Sequence, residues 1–423
     1  MVKLQHMQRR TAVTAAAAAA LTLSSSGIKT VENKRGNYKR KPLWPDWATR
    51  VNSLTAREFS RQYRMTLAAF TKLHGLCSKH LIATGELPKK PRSDSLPTEF
   101  WLSATIRFLA GGAALDVVDM HGMATPTFYT KLNVWLKAIY AVLRVPVGCM
   151  GLTSAFLADL SKMEAGFSSR SDYAIRGCVG AVDGLCIEIC RPRAAESAAP
   201  SLYMNRKGFF SINMQAVSDA HHRITWFDFT AVGSTHDATA LEMSGLPDKL
   251  AAGLLPPGYW IAGDDAYSAS AENIVTLFSG RNLPATQDNF NFWLSNSRIE
   301  VECCFRMLVA RWGILWRRID THLVTAGNIV RAVVALHNFC IDENCPLDGD
   351  MRGTLAAERD LLGNTEPVFS SEVSGEHAGV LFRVQRNSGI RNSGRVNAIR
   401  RQTERRNHLV EAVAEAGLER PAW

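Results

Sequence analysis

The run "GCVGAVDGLCIEIC", residues 177–190, restricts the fold more than any other stretch of this chain. It is apolar on both faces, so it reads as a strand inside a sheet that is covered on both sides. Yet Asp183 stands at its middle, directly before Gly184. Glu188 could reach solvent at the strand's far end, but a carboxylate at a sheet centre is costly unless a cation offsets its charge.

Two more strands follow closely, "FSINMQAVSDA" (210–220) and "RITWFDFTAV" (223–232). "THDATALEMS" then turns toward a helix, and "GYWIAGDDAY" (258–267) reads as a fourth strand ending in acids. "NFWLSNSRIEVECCFRMLVARWGIL" (291–315) predicts a long helix with a seam of Val301, Phe305, Leu308 and Trp312. Arg298 and Glu302 lie four apart on a neighbouring face. The sum is an α/β layer in which Asp183, Asp264 and Glu302 meet. Carboxylates on adjacent strand ends and a packed helix can hold two Mg²⁺ (or Mn²⁺) ions about 4 Å apart. That is the arrangement that activates a hydroxyl and stabilises the leaving oxygen of a phosphodiester.

The preceding region is helical. In "REFSRQYRMTLAAFTKLHGLCSKHL" (57–81), Phe59, Tyr63, Leu67, Phe70, Leu73 and Leu76 share a face. "PTEFWLSATIRFLAGGAALDVVDMHGMATPTFYTKLNVWLKAIYAVL" (97–143) predicts helix, short helix, Gly-containing turn and helix. Thr98 is a candidate N-cap, Gly111 and Gly112 stop the first helix, and Thr125 with Pro126 opens the third. This spacing fits a helix-turn-helix module, and equally an ordinary helical bundle. On a recognition helix, Thr127, Tyr129 and Lys131 would face DNA while Phe128, Leu132, Trp135 and Ile139 anchored the helix to the core.

The chain's 423 residues divide into a basic low-complexity leader (1–50), the helical domain (51–150), the α/β domain (170–345) and a variable linker with a basic tail and terminal helix (346–423). Net charge is +10 and unevenly spread. Residues 1–60 carry eleven Lys/Arg against three acids, and 381–406 carry eight Arg against Glu404 alone. An acidic middle between basic ends suits a protein that gathers cations centrally and polyanions peripherally. The apolar stretch Ala12 to Leu23 has the length of a signal-peptide core, but alanine is weakly apolar and "NKRGNYKRKP" (33–42) reads as a nuclear-import or DNA-backbone patch. The nucleus is therefore the expected location. No other run of about 18 apolar residues predicts a membrane span. The nine cysteines lack the paired spacings of a disulfide or zinc framework.

At "AVDG", "YMNRKGFFSINMQAVSDA" (203–220), "GSTHD", "GDDAY", "RIEVECCF" and "LHNF" (336–339), the sequence resembles the transposases of the PIF/Harbinger superfamily and their domesticated nuclease relatives. The resemblance covers about residues 175–342. It implies a ribonuclease H-like mixed sheet flanked by helices, with an N-terminal all-α helix-turn-helix-like domain, and a metal-dependent DNA endonuclease or transposase. Asp183, Asp264 and Glu302 match its catalytic triad. Asp237 matches a further acid near the metal. Asp265 rivals Asp264 and Glu300 rivals Glu302, but the pattern takes the first acid after Gly263 and the acid three residues before Phe305. Asn205, Arg206 and Lys207 supply donors for a scissile phosphate. The resemblance further implies DNA as partner, a Myb-like helper protein and a homo-oligomer. Cys303 and Cys304 depart from the pattern by following Glu302 with apolar residues, and residues 343–377 have no counterpart in it. Two other classes stay open: a catalytically silent DNA-binding adaptor, and a phosphoesterase of different fold using Asp183, His236, Asp237 and Asp264.

Overall fold

In a computed structural model describing residues 42–89, 96–145, 154–268, 270–280, 282–346 and 390–421, five strands form one sheet. They are β1 (Cys178–Glu188), β2 (Ser211–Ser218), β3 (Ile224–Val232), β4 (Trp260–Gly263) and β5 (Ile274–Val275), in the order β3-β2-β1-β4-β5. The first three pair antiparallel, while β4 and β5 run parallel to β1. The fourth strand is shorter than its sequence suggests, because the chain leaves the sheet at Asp264 and turns through a 3-10 segment.

A bulge between Cys178 and Gly180 breaks the period-two alternation once, and with that shift β1 is sorted between two layers. Ala181 and Ile187 join Val301, Cys304, Phe305 and Leu308 of the long helix α10 (Ala285–Arg311), together with α11 (Leu323–Asp342). Val179 and Val182 face the other way, toward Leu160 of α7 (Ser154–Ser168), Leu241 of α8 (Asp237–Met243) and Leu250 of α9 (Leu246–Ala251). β2 is buried along its whole length, as a central strand covered on both faces must be.

Helix α11 is long and apolar enough to cross a membrane by length and composition, but 83% of that stretch is buried inside the protein. Arg331 and His337 interrupt its apolar run, so the sequence alone does not read as a span. It is the central helix of the core. Its "LHNF" motif stitches it to the sheet: Asn338 accepts from Ile224 N at 2.9 Å and donates to Ile224 O at 2.8 Å. His337 Nε2 donates to the His222 carbonyl at 2.8 Å, and burial lowers this imidazole's pKa to about 3, so it stays neutral.

Before the sheet lie α1 (Trp47–Asn52), α2 (Ala56–Tyr63), α3 (Leu67–Ala83), α4 (Thr98–Leu109), α5 (Ala114–Met120) and α6 (Thr125–Leu143). Thr55 and Glu58 close a capping box on α2. Thr98 is not the cap of α4; Pro97 holds that position, and Thr98 Oγ1 bonds His74 Nε2 at 2.9 Å instead. Phe128, Leu132, Trp135 and Ile139 of α6 are buried as expected. One hydrophobic core runs continuously from α2 through α6 to α10 and α11. Asn133 of α6 donates to Thr325 Oγ1 at 3.1 Å and accepts from Asn328 at 3.2 Å. At the same junction Gly111 and Gly313 touch backbone to backbone; a Cβ on Gly313 would lie 2.6 Å from the Ala110 carbonyl.

The arginines of the C-terminal cluster whose side chains are described do not form a free arm. Helix α12 (Ile390–Glu415) lies along α10 and the β5 edge. Arg401 pairs with Glu272 at 2.9 Å, Arg405 donates to the Glu272 carbonyl, Gln402 to the Ile274 carbonyl, and Arg406 to the Leu277 carbonyl. Arg406 also stacks over Phe278 at 4.0 Å. Guanidinium and amide donors thus cover an edge that would otherwise offer unpaired carbonyls. The leader and its "NKRGNYKRKP" patch fall outside the described residues as far as Lys41.

Candidate active site

Asp183 shares the β1 face of Ala181 and Ile187, so it points toward α10. Asp264 follows β4 immediately; because Val182 pairs with Gly263 in parallel register, the two aspartates are neighbours across the strands. Asp264 is half-buried and accepts from the Asp265 backbone N at 2.8 Å. From α10, Arg298 binds Glu302 at 2.5 Å, with its Nη1 4.0 Å from Asp183 Oδ2. The charges of Glu302, Asp264 and Asp183 together hold the Arg298 guanidinium's pKa up against the burial that lowers it. Three acids predicted from distant stretches of chain therefore gather around one guanidinium.

Asp183 shows the cost of this position. Burial pushes its pKa up to about 7, and the negative charges of Glu302 and Asp264 add to that; the Gly184 N–H and Arg298 pull the other way. Three carboxylates against one guanidinium leave an excess negative charge of two, which is the charge of one divalent cation. All the donors are hard carboxylate oxygens, the ligand class of Mg²⁺ and Mn²⁺. The residues fit such an ion in chemistry. Among the described residues, however, no three His, Cys, Asp or Glu side chains converge closely enough to form a ready-made metal cage. Arg298 stands where the acids point.

The two rival acids separate cleanly. Glu300 is fully buried and is locked to Arg170 Nη1 at 2.6 Å and His222 Nε2 at 2.8 Å, whereas Glu302 remains partly exposed beside Asp183. Burial alone would lower His222, but its contacts with Cys303 and Glu300 raise it to about 9. Asp265 is exposed and acts electrostatically on Arg406, away from the cluster.

Asp237 is not gathered with the three. It opens α8, and its Oδ1 accepts from Asn213 at 3.0 Å and Gln215 at 3.2 Å. A Cβ on Gly184 would lie 2.5 Å from that oxygen and 2.7 Å from Gln215 Nε2, so Asp237 presses on β1 from the side opposite the Asp183 side chain. The expected metal ligand is here an acceptor for two buried amides. Tyr267 completes the network by donating to Gln215 Oε1 at 2.7 Å. Burial raises Tyr267's pKa, and the charges of Asp183, Asp237 and Asp264 raise it further, so it stays a hydroxyl donor. Asn213, Gln215 and Tyr267 were missed as site residues, although all three lie inside the motifs that carry the resemblance.

In the "YMNRKG" loop, Asn205 departs from its expected role. It is buried, donates to Ser211 Oγ at 3.0 Å, and accepts from the backbone N–H of Lys207 at 2.9 Å, so it shapes the turn instead of facing a phosphate. Arg206 and Lys207 are exposed; against the burial and the Asp237 charge that raise the Cys186 thiol, their charges lower it, which places them near β1. On α6, Thr127 is exposed, whereas Tyr129 and Lys131 are half-buried. Tyr129 helps line a cleft of about 460 Å³ with Asn133, Arg193, Glu196 and Thr325, which lies apart from the acids. Its ring is therefore turned partly toward α11 and not fully toward a groove.

Known proteins bear on this arrangement. The DDE superfamily endonuclease profile matches residues 182–338, a span that holds all three acids and the His337 and Asn338 of the "LHNF" clamp. The chain is 25% identical over 173 residues to "Putative nuclease HARBI1" of Bos taurus, covering 40% of this chain and 47% of that protein. It is 24% identical over 185 residues to the Homo sapiens protein of the same name, covering 41% and 50%. The chain thus spans about half the length of the curated relatives it matches. No solved structure matches it. Residues 182–338 thus match the DDE superfamily endonucleases, and the similarity to these two nucleases supports the Harbinger type within them.

Proposed function

We propose that this protein is a transposase or transposase-derived nuclease that cuts DNA phosphodiesters, and that its α/β domain is ribonuclease H-like. The observation that carries the proposal is the gathering of Asp183, Asp264 and Glu302, from β1, the end of β4 and α10, around Arg298. The sheet order, with three antiparallel strands and two parallel ones leading to the acids, supports the same assignment.

Asp183, Asp264 and Glu302 would hold the divalent ions, two by this proposal. When bound, such ions lower the pKa of an attacking water or 3′-hydroxyl and stabilise the leaving oxygen. The chain's own residues do the rest. Arg298 orients the Glu302 carboxylate and limits repulsion among the acids. The Tyr267–Gln215–Asp237 network holds β1 at Gly184, directly beside Asp183. Arg206 and Lys207, exposed at the loop before β2, take the phosphate backbone of the strand being cut. Helices α4 to α6 form the helix-turn-helix-like unit, with Thr127 and Lys131 reaching DNA from the start of α6. The nucleus, a Myb-like helper and self-association belong to the same proposal.

The test is cleavage of supercoiled plasmid with Mg²⁺ or Mn²⁺, alongside DNA binding measured with chelator. Asp183→Asn, Asp264→Asn and Glu302→Gln should each abolish cutting and leave binding nearly intact. Cleavage that survives all three substitutions rules the site out.

A further inference from the structure

Trp135, Trp226, Trp260 and Trp312 are fully buried, but Trp316 is 66% exposed at the end of the 3-10 turn Gly313–Trp316 that follows α10. An indole left uncovered on a rigid segment offers a flat aromatic face on which a partner can stack. The segment is rigid, because Arg317 Nη2 donates to the Gly112 carbonyl at 3.0 Å and Ile319 N to the Glu188 carbonyl at 3.0 Å. Arg317 and Arg318 follow the indole directly, and both are exposed.

The backbone adds two more cations. Ile319 bridges to Ile189, and Cys190 N donates to the Ile319 carbonyl at 3.1 Å, which brings the exposed Arg191 and Arg193 alongside. Two acids of the same segments, Glu196 and the exposed Asp320, offset these four guanidinium groups only in part; Glu196 already accepts from Arg193 N at 3.0 Å, Leu323 N at 2.7 Å and His322 at 3.2 Å. An aromatic face among arginines is the surface that single-stranded nucleic acid takes: bases stack on the ring and phosphates pair with the cations. A fully paired duplex keeps its base faces buried in its own stack.

Position relates this surface to the acids. β1 runs from Asp183 to the Ile189–Ile319 bridge at about 3.3 Å per residue, roughly 20 Å. At the duplex rise of about 3.4 Å per phosphate that is about six nucleotides, and fewer where an unpaired strand extends.

We propose that Trp316, with Arg317, Arg318, Arg191 and Arg193, is a stacking platform for an unpaired stretch of DNA strand within about six nucleotides of the phosphate at the acids. The platform rests on the DNA-cutting function proposed above, and its test separates the two. Full-length protein in chelator is titrated with a labelled single-stranded oligonucleotide and, separately, with the fully paired duplex. Trp316→Ala should weaken single-strand binding roughly five- to hundred-fold and leave duplex binding almost unchanged. Trp316→Phe should retain most of the affinity, since a phenyl ring still stacks. Because the side chain is exposed, thermal melts of both variants should match the wild type.

Equal losses on both DNA forms, or no loss on single strands, overturn the platform. So does a Trp316→Ala variant whose only change is the loss of a self-associated species, which would make the indole a protein contact. Wild type that binds neither form of DNA overturns the DNA-cutting proposal itself. Normal wild-type binding with an unaffected variant overturns the platform alone.

Discussion

Glu300 and Glu302 sit two residues apart on α10 and should fail in opposite ways. Glu300 is fully buried between Arg170, at 2.6 Å, and His222, at 2.8 Å. Glu300→Gln leaves Arg170 without its carboxylate, and breaking a buried pair from one side costs about 3–5 kcal/mol. At about 2–4 °C per kcal/mol for a domain of this size, the melting temperature should fall by roughly 6–20 °C. The loss has a pH signature. Although burial opposes it, Cys303 and Glu300 raise His222 to about 9. A raised imidazole stabilises the fold fully below its unfolded pKa of about 6.5 and loses that contribution as pH rises through the folded value. Wild-type melting temperature should therefore decline between about pH 6.5 and 9, and Glu300→Gln should flatten that decline. Glu302→Gln, partly exposed beside Asp183, should melt like wild type and not cut. Differential scanning calorimetry across that pH range, paired with plasmid cleavage below the melting point, reads both effects. A Glu300→Gln protein with unshifted melting and no cleavage refutes the assignment of the two acids.

Asp183→Asn should make the metal-free protein more stable near neutral pH. Burial lifts the wild-type carboxyl to about 7, so stability present near pH 4 is lost as pH rises toward 7. The substitution should remove that slope in chelator, and melts that keep it would place the titrating group elsewhere. Gly184→Ala puts a Cβ 2.5 Å from Asp237 Oδ1 and 2.7 Å from Gln215 Nε2. It should cost about 1–3 kcal/mol and most of the cleavage, whereas Tyr267→Phe, losing one hydroxyl bond, should cost about 1 kcal/mol. Equal thermal denaturation of Gly184→Ala and wild type would show that Asp237 yields easily.

The strands and α10 were legible because a buried sheet needs unbroken apolar runs and a covering helix needs a seam; both patterns are local. The choice of Glu302 rested on the motif's spacing to Phe305 and on Arg298 four residues earlier on the same face. What separates it from Glu300 is Arg170, on the far side of β1 in sequence, and no spacing within α10 reports that contact. Gln215 and Asn213 were hidden for a related reason. β2 is buried on both faces, so its amides do not stand out as the polar half of an alternation. Thr98 looked like a cap because hydroxyls often are, but His74 competes for it. The C-terminal arginines read as an arm because charge runs are usually solvated. Here Arg405 and Arg406 find backbone carbonyls that an edge strand leaves open.

That edge closure also sets an order in time. Gln402 reaches the Ile274 carbonyl across 128 residues of sequence, so a ribosome making this chain releases β5 long before the helix that covers it. At synthesis rates of about 5–20 residues per second, the edge waits roughly 6–25 s in the growing chain. During that interval the acids already have their strands and α10, but the sheet's open side can pair with any extended neighbour, including another nascent copy on the same message. A cell that overproduces this protein should therefore see its losses as insoluble, strand-paired chains that form during synthesis, more than as mature protein that unfolds later.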